Sequence, residues 1–169
     1  MKTITREYKL YNLAELSKEA KEKALNDWNG DNEFPFLEEC MNDMLDELLK
    51  KYNLKSEDAK CYYSLGYCQG DGAMFEGLIE WRNYYVNIKH SGHYYHYNSK
   101  EYTIRTKKTD SEANENTHNQ FEKIYRKICD ELEKVGYDFI EAEQSMDNFQ
   151  ETCKANEYTF LSSGIMMNE

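Results

Sequence analysis

The chain reads as an α+β protein: an antiparallel β-sheet of four or more strands with about four α-helices packed mainly on one face. Three observations predict this. Strand-like alternation is concentrated in the middle of the chain, over residues 60–106. Apolar residues at helical spacing flank that region on both sides. The strand segments follow one another through short polar loops, which is the connectivity of antiparallel pairing. Strands and helices are therefore grouped rather than alternating, with no internal repeat and no linker, and a single domain over 1–169 is expected.

In chain order, residues 2–12 predict a first strand, with Ile4, Arg6, Tyr8 and Leu10 alternating with polar positions. Ser17 is placed to cap a helix running through Trp28, with Ala20, Ala24, Leu25 and Trp28 on one face and Asn29-Gly30-Asp31-Asn32 as its stop. Pro35, the only proline, suits the first turn of a second helix reaching about Tyr52; Leu37, Met41, Met44, Leu45, Leu48 and Tyr52 form its stripe. Strands are expected over 60–67, over 77–89 and over 93–98, the last continuing toward Thr106. Ser91-Gly92 would be the tight turn before the last of these. Phe121, Ile124, Tyr125, Ile128, Leu132 and Val135 predict a third helix ended by Gly136. A fourth spans about 140–154, and Tyr158–Leu161 with Ile165–Met167 form a closing hairpin around Ser-Ser-Gly.

Composition narrows the setting. A hydrophobic share of 40% and 15 tyrosines argue against disorder, and 169 residues can bury a core without disulfides. Five cysteines, an odd number without a Cys-x-x-Cys pair, favour free thiols in a reducing compartment. No apolar run reaches membrane-spanning length, and Met1–Arg6 lacks an apolar signal core, so a cytoplasmic protein without membrane contact is expected. The formal net charge of −11 disfavours direct contact with nucleic acid and suits either basic partners or mere solubility, a solvated acidic surface being the commoner case.

Chemistry gathers in two segments. In Gln69-Gly70-Asp71-Gly72, two glycines flank one carboxylate and can present their amides to a ligand, although Asp between glycines is also ordinary turn chemistry. His90, His93 and His96 follow at spacings of three, among tyrosines. Residues three apart on a strand face opposite sides, so these histidines do not converge on a metal, and no metal or cofactor is expected. A pairing of Tyr95 or His96 with Asp71 across the sheet fits better. The candidate binding residues are thus Gln69, Gly70, Asp71, Gly72, Tyr95 and His96. Cys68 beside them meets only the loosest form of a Cys/His catalytic pair, and a buried inert thiol is the commoner case, so no catalytic residue is assigned. A separate candidate surface is acidic: Glu39, Asp43 and Glu47 recur every fourth residue on the second helix, and Asp130, Glu131 and Glu133 lie on the third.

The run Tyr63-Ser64-Leu65-Gly66-Tyr67-Cys68-Gln69-Gly70-Asp71-Gly72-Ala73 resembles the Ser-Gln-Gly-Asp-Gly-Ala signature of a family of small bacteriophage and prophage proteins, some of them labelled antitoxin. Residues 11–24, 90–99 and 155–160 are similar to the same family in the same order, so the resemblance covers most of the chain. Cys68 stands where the family usually has Ser, and His93 where Arg is common. The resemblance implies an origin in phage or mobile elements but brings no reaction with it.

With the charge, it leads to the expectation of an acidic protein that binds and modulates a host protein. A counter-defence inhibitor of the anti-CRISPR kind, acting on a nucleic-acid-handling enzyme, fits best. A small-ligand or nucleotide-handling protein using Gln69, Asp71 and His96, and an antitoxin-like partner, are the alternatives. A closed turn at Asp71 would favour the first reading, and an open polar pocket the ligand-handling one.

Overall fold

The computed structural model describes residues 7–31 and 33–167. In chain order it contains β1 (Tyr11–Asn12), a 3-10 turn (Leu13–Glu15), α1 (Lys18–Asp31), α2 (Leu37–Lys51), β2 (Leu54–Lys55), β3 (Lys60–Ser64), β4 (Gly72–Trp81), β5 (Tyr84–His90), β6 (Lys100–Thr106), α3 (Glu115–Glu143), α4 (Met146–Ala155), β7 (Thr159–Phe160) and β8 (Met166–Met167). The α+β prediction holds: among the described residues, four helices accompany an antiparallel five-stranded sheet and a small three-stranded one. The chain divides into two compact units, one of residues 1–34 and 140–169, the other of residues 35–139.

In the first unit β1, β7 and β8 pair antiparallel, and the closing hairpin forms as expected. Its core joins Leu13, Leu16, Ala20 and Ala24 to Phe149, Cys153 and Phe160. The Ser17 hydroxyl accepts from the Ala20 amide at 3.3 Å, the predicted cap. Of the strand predicted over 2–12, Tyr11–Asn12 forms, residues 7–10 are irregular and exposed, and residues 1–6 lie outside the described residues. α1 ends at Asp31, inside the stop expected over residues 29–32, and includes Gly30; a lone glycine costs a helix only about 1 kcal/mol. The fourth helix starts later than predicted, because α3 continues to Glu143 and Ser145 then caps α4 by accepting from the Asn148 amide.

The second unit carries the larger sheet, in the order β2-β4-β5-β6, with β3 also on β4. The segment read as one strand over 77–89 is two strands, joined at Arg82-Asn83 with Trp81 opposite Tyr84. This turn reverses the parity of the faces. Ile79 and Trp81 share the buried face with Val86 and Ile88, while Leu78 and Tyr85 are exposed. Arg82 holds the turn with φ of +53°.

The predicted Ser91-Gly92 hairpin is instead a longer loop over residues 91–99, because His90 pairs with Lys100 and the strand expected over 93–98 does not form. α2 buries Leu37, Met41, Leu45, Leu48 and Leu49, and Pro35 lies in the turn just before it. α3 buries Phe121, Tyr125, Ile128, Cys129 and Leu132. The Tyr125 hydroxyl donates to the Phe75 carbonyl at 2.9 Å, stitching α3 to β4. Gly136 does not end α3: it is buried mid-helix, where an added Cβ would lie 2.3 Å from Leu65 Cδ1 and 3.1 Å from Met41 Sδ. Its role is close approach rather than termination.

Candidate functional site

The signature segment is the loop between β3 and β4, residues 65–71, closed by the pairing of Ser64 with Gly72. Asp71 organises it. Its Oδ2 accepts from the Cys68 amide at 2.9 Å and from the Tyr137 hydroxyl at 2.6 Å; its Oδ1 accepts from the Cys68 thiol at 3.2 Å and the Ser64 hydroxyl at 3.3 Å. The Tyr137 hydroxyl above all, helped by Cys68 and Ser64, holds the Asp71 carboxyl down at about 2. Burial, reinforced by Asp71, pushes the Tyr137 phenol up to about 12. The Asp71 amide donates in turn to the Cys68 carbonyl at 3.2 Å. This is a closed turn fastened to α3 by a short charge-assisted bond.

The second loop packs across it. Tyr94 covers Gly70, whose φ is +102° and whose added Cβ would lie 3.2 Å from the Tyr94 ring. Gly72 faces the backbone of Tyr95 and His96, and an added Cβ would meet His96 Cδ2 at 2.8 Å and the Tyr95 carbonyl at 3.2 Å. These contacts explain the two glycines by close approach and turn geometry.

Asp71 bonds to neither Tyr95 nor His96. The Tyr95 ring stacks on Tyr62 at 5.5 Å, and His96 Nδ1 accepts from the Asn98 amide at 3.2 Å. Gln69 is exposed at the loop tip. The three histidines do not converge: His90 Nε2 lies 3.2 Å from the Tyr94 carbonyl, and His93 is exposed. Among the described residues, no group of three or more His, Cys, Asp or Glu side chains is arranged to hold a metal ion.

Cys68 departs from the buried, inert thiol expected of it. It is exposed, but the Asp71 carboxylate raises its pKa, which disfavours the thiolate a nucleophile needs. All five cysteines are free thiols.

The residues that sequence reasoning missed come from α3. Tyr137 lies 66 positions from Asp71, and the Tyr67 ring packs on it at 4.8 Å. Glu133, one helical turn earlier, belongs by sequence to an acidic helix face; it is half-buried, and burial raises its carboxyl while nearby His96 counters the shift. Glu131 is also engaged, accepting from Tyr52 at 2.7 Å and pairing with Lys51 at 2.6 Å. The only signal in the sequence is the helical register linking Glu133 to Tyr137.

The acidic face of α2 is built differently. Glu39, Asp43 and Glu47 are exposed, and among the described residues none has a cation within ion-pair distance, whereas neighbouring Glu38 pairs with Lys60 at 3.2 Å. No helix among the described residues is long and apolar enough to cross a membrane.

No family model, curated protein or solved structure matches this chain.

Proposed function

We propose that the chain is a non-enzymatic, phage-derived acidic protein that binds a basic surface of a host protein and modulates it, as a counter-defence inhibitor of a nucleic-acid-handling enzyme would. The observation that carries this reading is the row of Glu39, Asp43 and Glu47 along the solvent face of α2, unpaired among the described residues. Carboxylates repeating along one helix face can replace phosphates in a basic channel, and the net charge of −11 would steer the encounter. The Asp71 loop supports the same reading from the other side. Its one carboxylate is engaged by internal donors and its glycines are covered by Tyr94 and His96, which leaves little for a small ligand to recognise. The raised thiol of Cys68 argues in the same direction against covalent catalysis. The resemblance to phage and prophage proteins supplies the setting.

The test is affinity capture from host lysate, followed by association kinetics with the captured protein at low and high salt. Association should slow as salt rises, since charges act over about 8 Å at physiological ionic strength. The captured enzyme should lose nucleic-acid binding in proportion to complex formed. A captured partner whose association ignores salt, or which binds nucleic acid equally well in the complex, overturns the reading. An antitoxin-like role would appear instead as neutralisation of a toxin encoded beside this chain.

A further inference from the structure

The acidic face of α2 borders an apolar groove. Phe36, at the start of the helix, is 68% exposed. Met44, two turns on, is half-buried, as is Phe139 of α3. Together with Glu39, Asp43 and Glu47 these side chains line one shallow depression of about 360 Å³. At about 100° per residue, Glu39, Asp43, Phe36, Glu47 and Met44 succeed one another around the helix, from the solvent side to the edge of the core face, where Met44 adjoins the buried Leu37 and Leu48. Among the described residues, the lining thus holds three carboxylates, no cation, Cys40 and the apolar side chains of Phe36, Met44 and Phe139.

We infer that this groove docks a basic amphipathic helix of the partner, which seats a large apolar side chain between Phe36, Met44 and Phe139 and sets Lys or Arg against Glu39, Asp43 and Glu47. The inference rests on the acidic-face reading above and gives its partner a chemistry. Charge complementarity selects the occupant. A second copy of this chain would bring the same carboxylates against themselves, and an anionic membrane surface would be repelled. Apolar anchors spaced at i, i+3, i+4 and i+7 are the pattern a groove beside a helix accepts.

Two fluorescein-labelled peptides of equal positive charge test it by anisotropy against the full chain. One carries Leu at i, i+3, i+4 and i+7 with Lys on its other face; the other replaces each Leu by Ser. The Leu peptide should bind at least about 10-fold more tightly, the scale of burying one large apolar side chain. Phe36→Ser should remove most of that difference, and Phe36→Leu should keep it. Because Phe36 is largely exposed, neither change should alter the circular dichroism spectrum. Neutralising Glu39→Gln, Asp43→Gln and Glu47→Gln together should weaken both peptides. Equal binding of the two peptides to the native chain, or a difference that survives Phe36→Ser, overturns the groove. If the neutralised variant still loses affinity in that case, the acidic face stands without the groove. If the neutralised variant binds both peptides as the native chain does, the acidic-face reading falls as well.

Discussion

Asp71 and Asp43 are the same residue type in the same unit, put to opposite uses. Asp71 accepts from four donors supplied by its own loop, by β3 and by α3. Asp43 is exposed on α2 with no cation beside it among the described residues. The segment with the more distinctive sequence is therefore the more structural one. The plainer helix face keeps its carboxylates exposed to solvent. A carboxylate that is fully hydrogen-bonded contributes to stability, and one left free contributes little to it.

The comparison predicts graded effects on stability, measurable by urea denaturation. Asp71→Ala deserts four donors at once and should cost about 3 kcal/mol. A loss under about 1 kcal/mol would mean that water replaces those bonds and that the loop is not organised by this carboxylate.

The pH dependence follows from the same group. Its folded carboxyl titrates at about 2 against an ordinary 3.8. The difference in stability between the native chain and Asp71→Asn should therefore be complete above about pH 4 and shrink as pH falls through 2. A difference independent of pH would contradict it.

Tyr137→Phe removes one charge-assisted donor and should cost about 1.5 kcal/mol. Because the phenol is raised from 10 to about 12, its contribution is complete below pH 10 and is lost as pH climbs toward 12. Cys68→Ser keeps a donor at the same exposed place and should leave the urea midpoint almost unchanged. Glu39→Lys, Asp43→Lys and Glu47→Lys together should change stability by less than about 0.5 kcal/mol, since exposed charges add little. The same triple change should abolish partner binding. A partner bound equally well by it would move attention to the exposed tyrosines Tyr85, Tyr94 and Tyr95.

Much of the fold was legible because its signals are local. The apolar stripe of α2 and the Ser17 cap are written in neighbouring residues, as is the hairpin around Ser162-Ser163-Gly164. The errors came where tertiary packing overrode local chemistry. Arg82-Asn83 lacks the glycine or proline that marks a turn, and Arg82 adopts a positive φ because the pairing of Trp81 with Tyr84 requires it. Gly136 looks like a stop, but it sits inside α3 because Leu65 and Met41 press against the helix there.

The site was half legible. Asp71 between its glycines reads as a turn, and a turn is what forms. The partner that fastens Asp71, Tyr137, is distant in sequence and belongs to a helix with an ordinary amphipathic pattern.

One helix carries the anchors of both loops. Tyr137 holds the loop of residues 65–71. Glu122 of the same helix binds the Lys100 ammonium at 2.9 Å, where the lysine side chain is 5% exposed and also donates to the Tyr97 carbonyl at the end of the loop of residues 91–99. Arg126 lies over the Tyr97 ring at 4.5 Å. The two loops also approach each other at Gly70 and Tyr94, and His96 of the second lies against Gly72 at the start of β4. Neither can lift from α3 without exposing the other, so they form one cooperative unit of local unfolding. In hydrogen exchange the amides of Cys68, Asp71, Ser91 and Ser99, each bonded within these loops, would then open together, with a single free energy and a common response to denaturant.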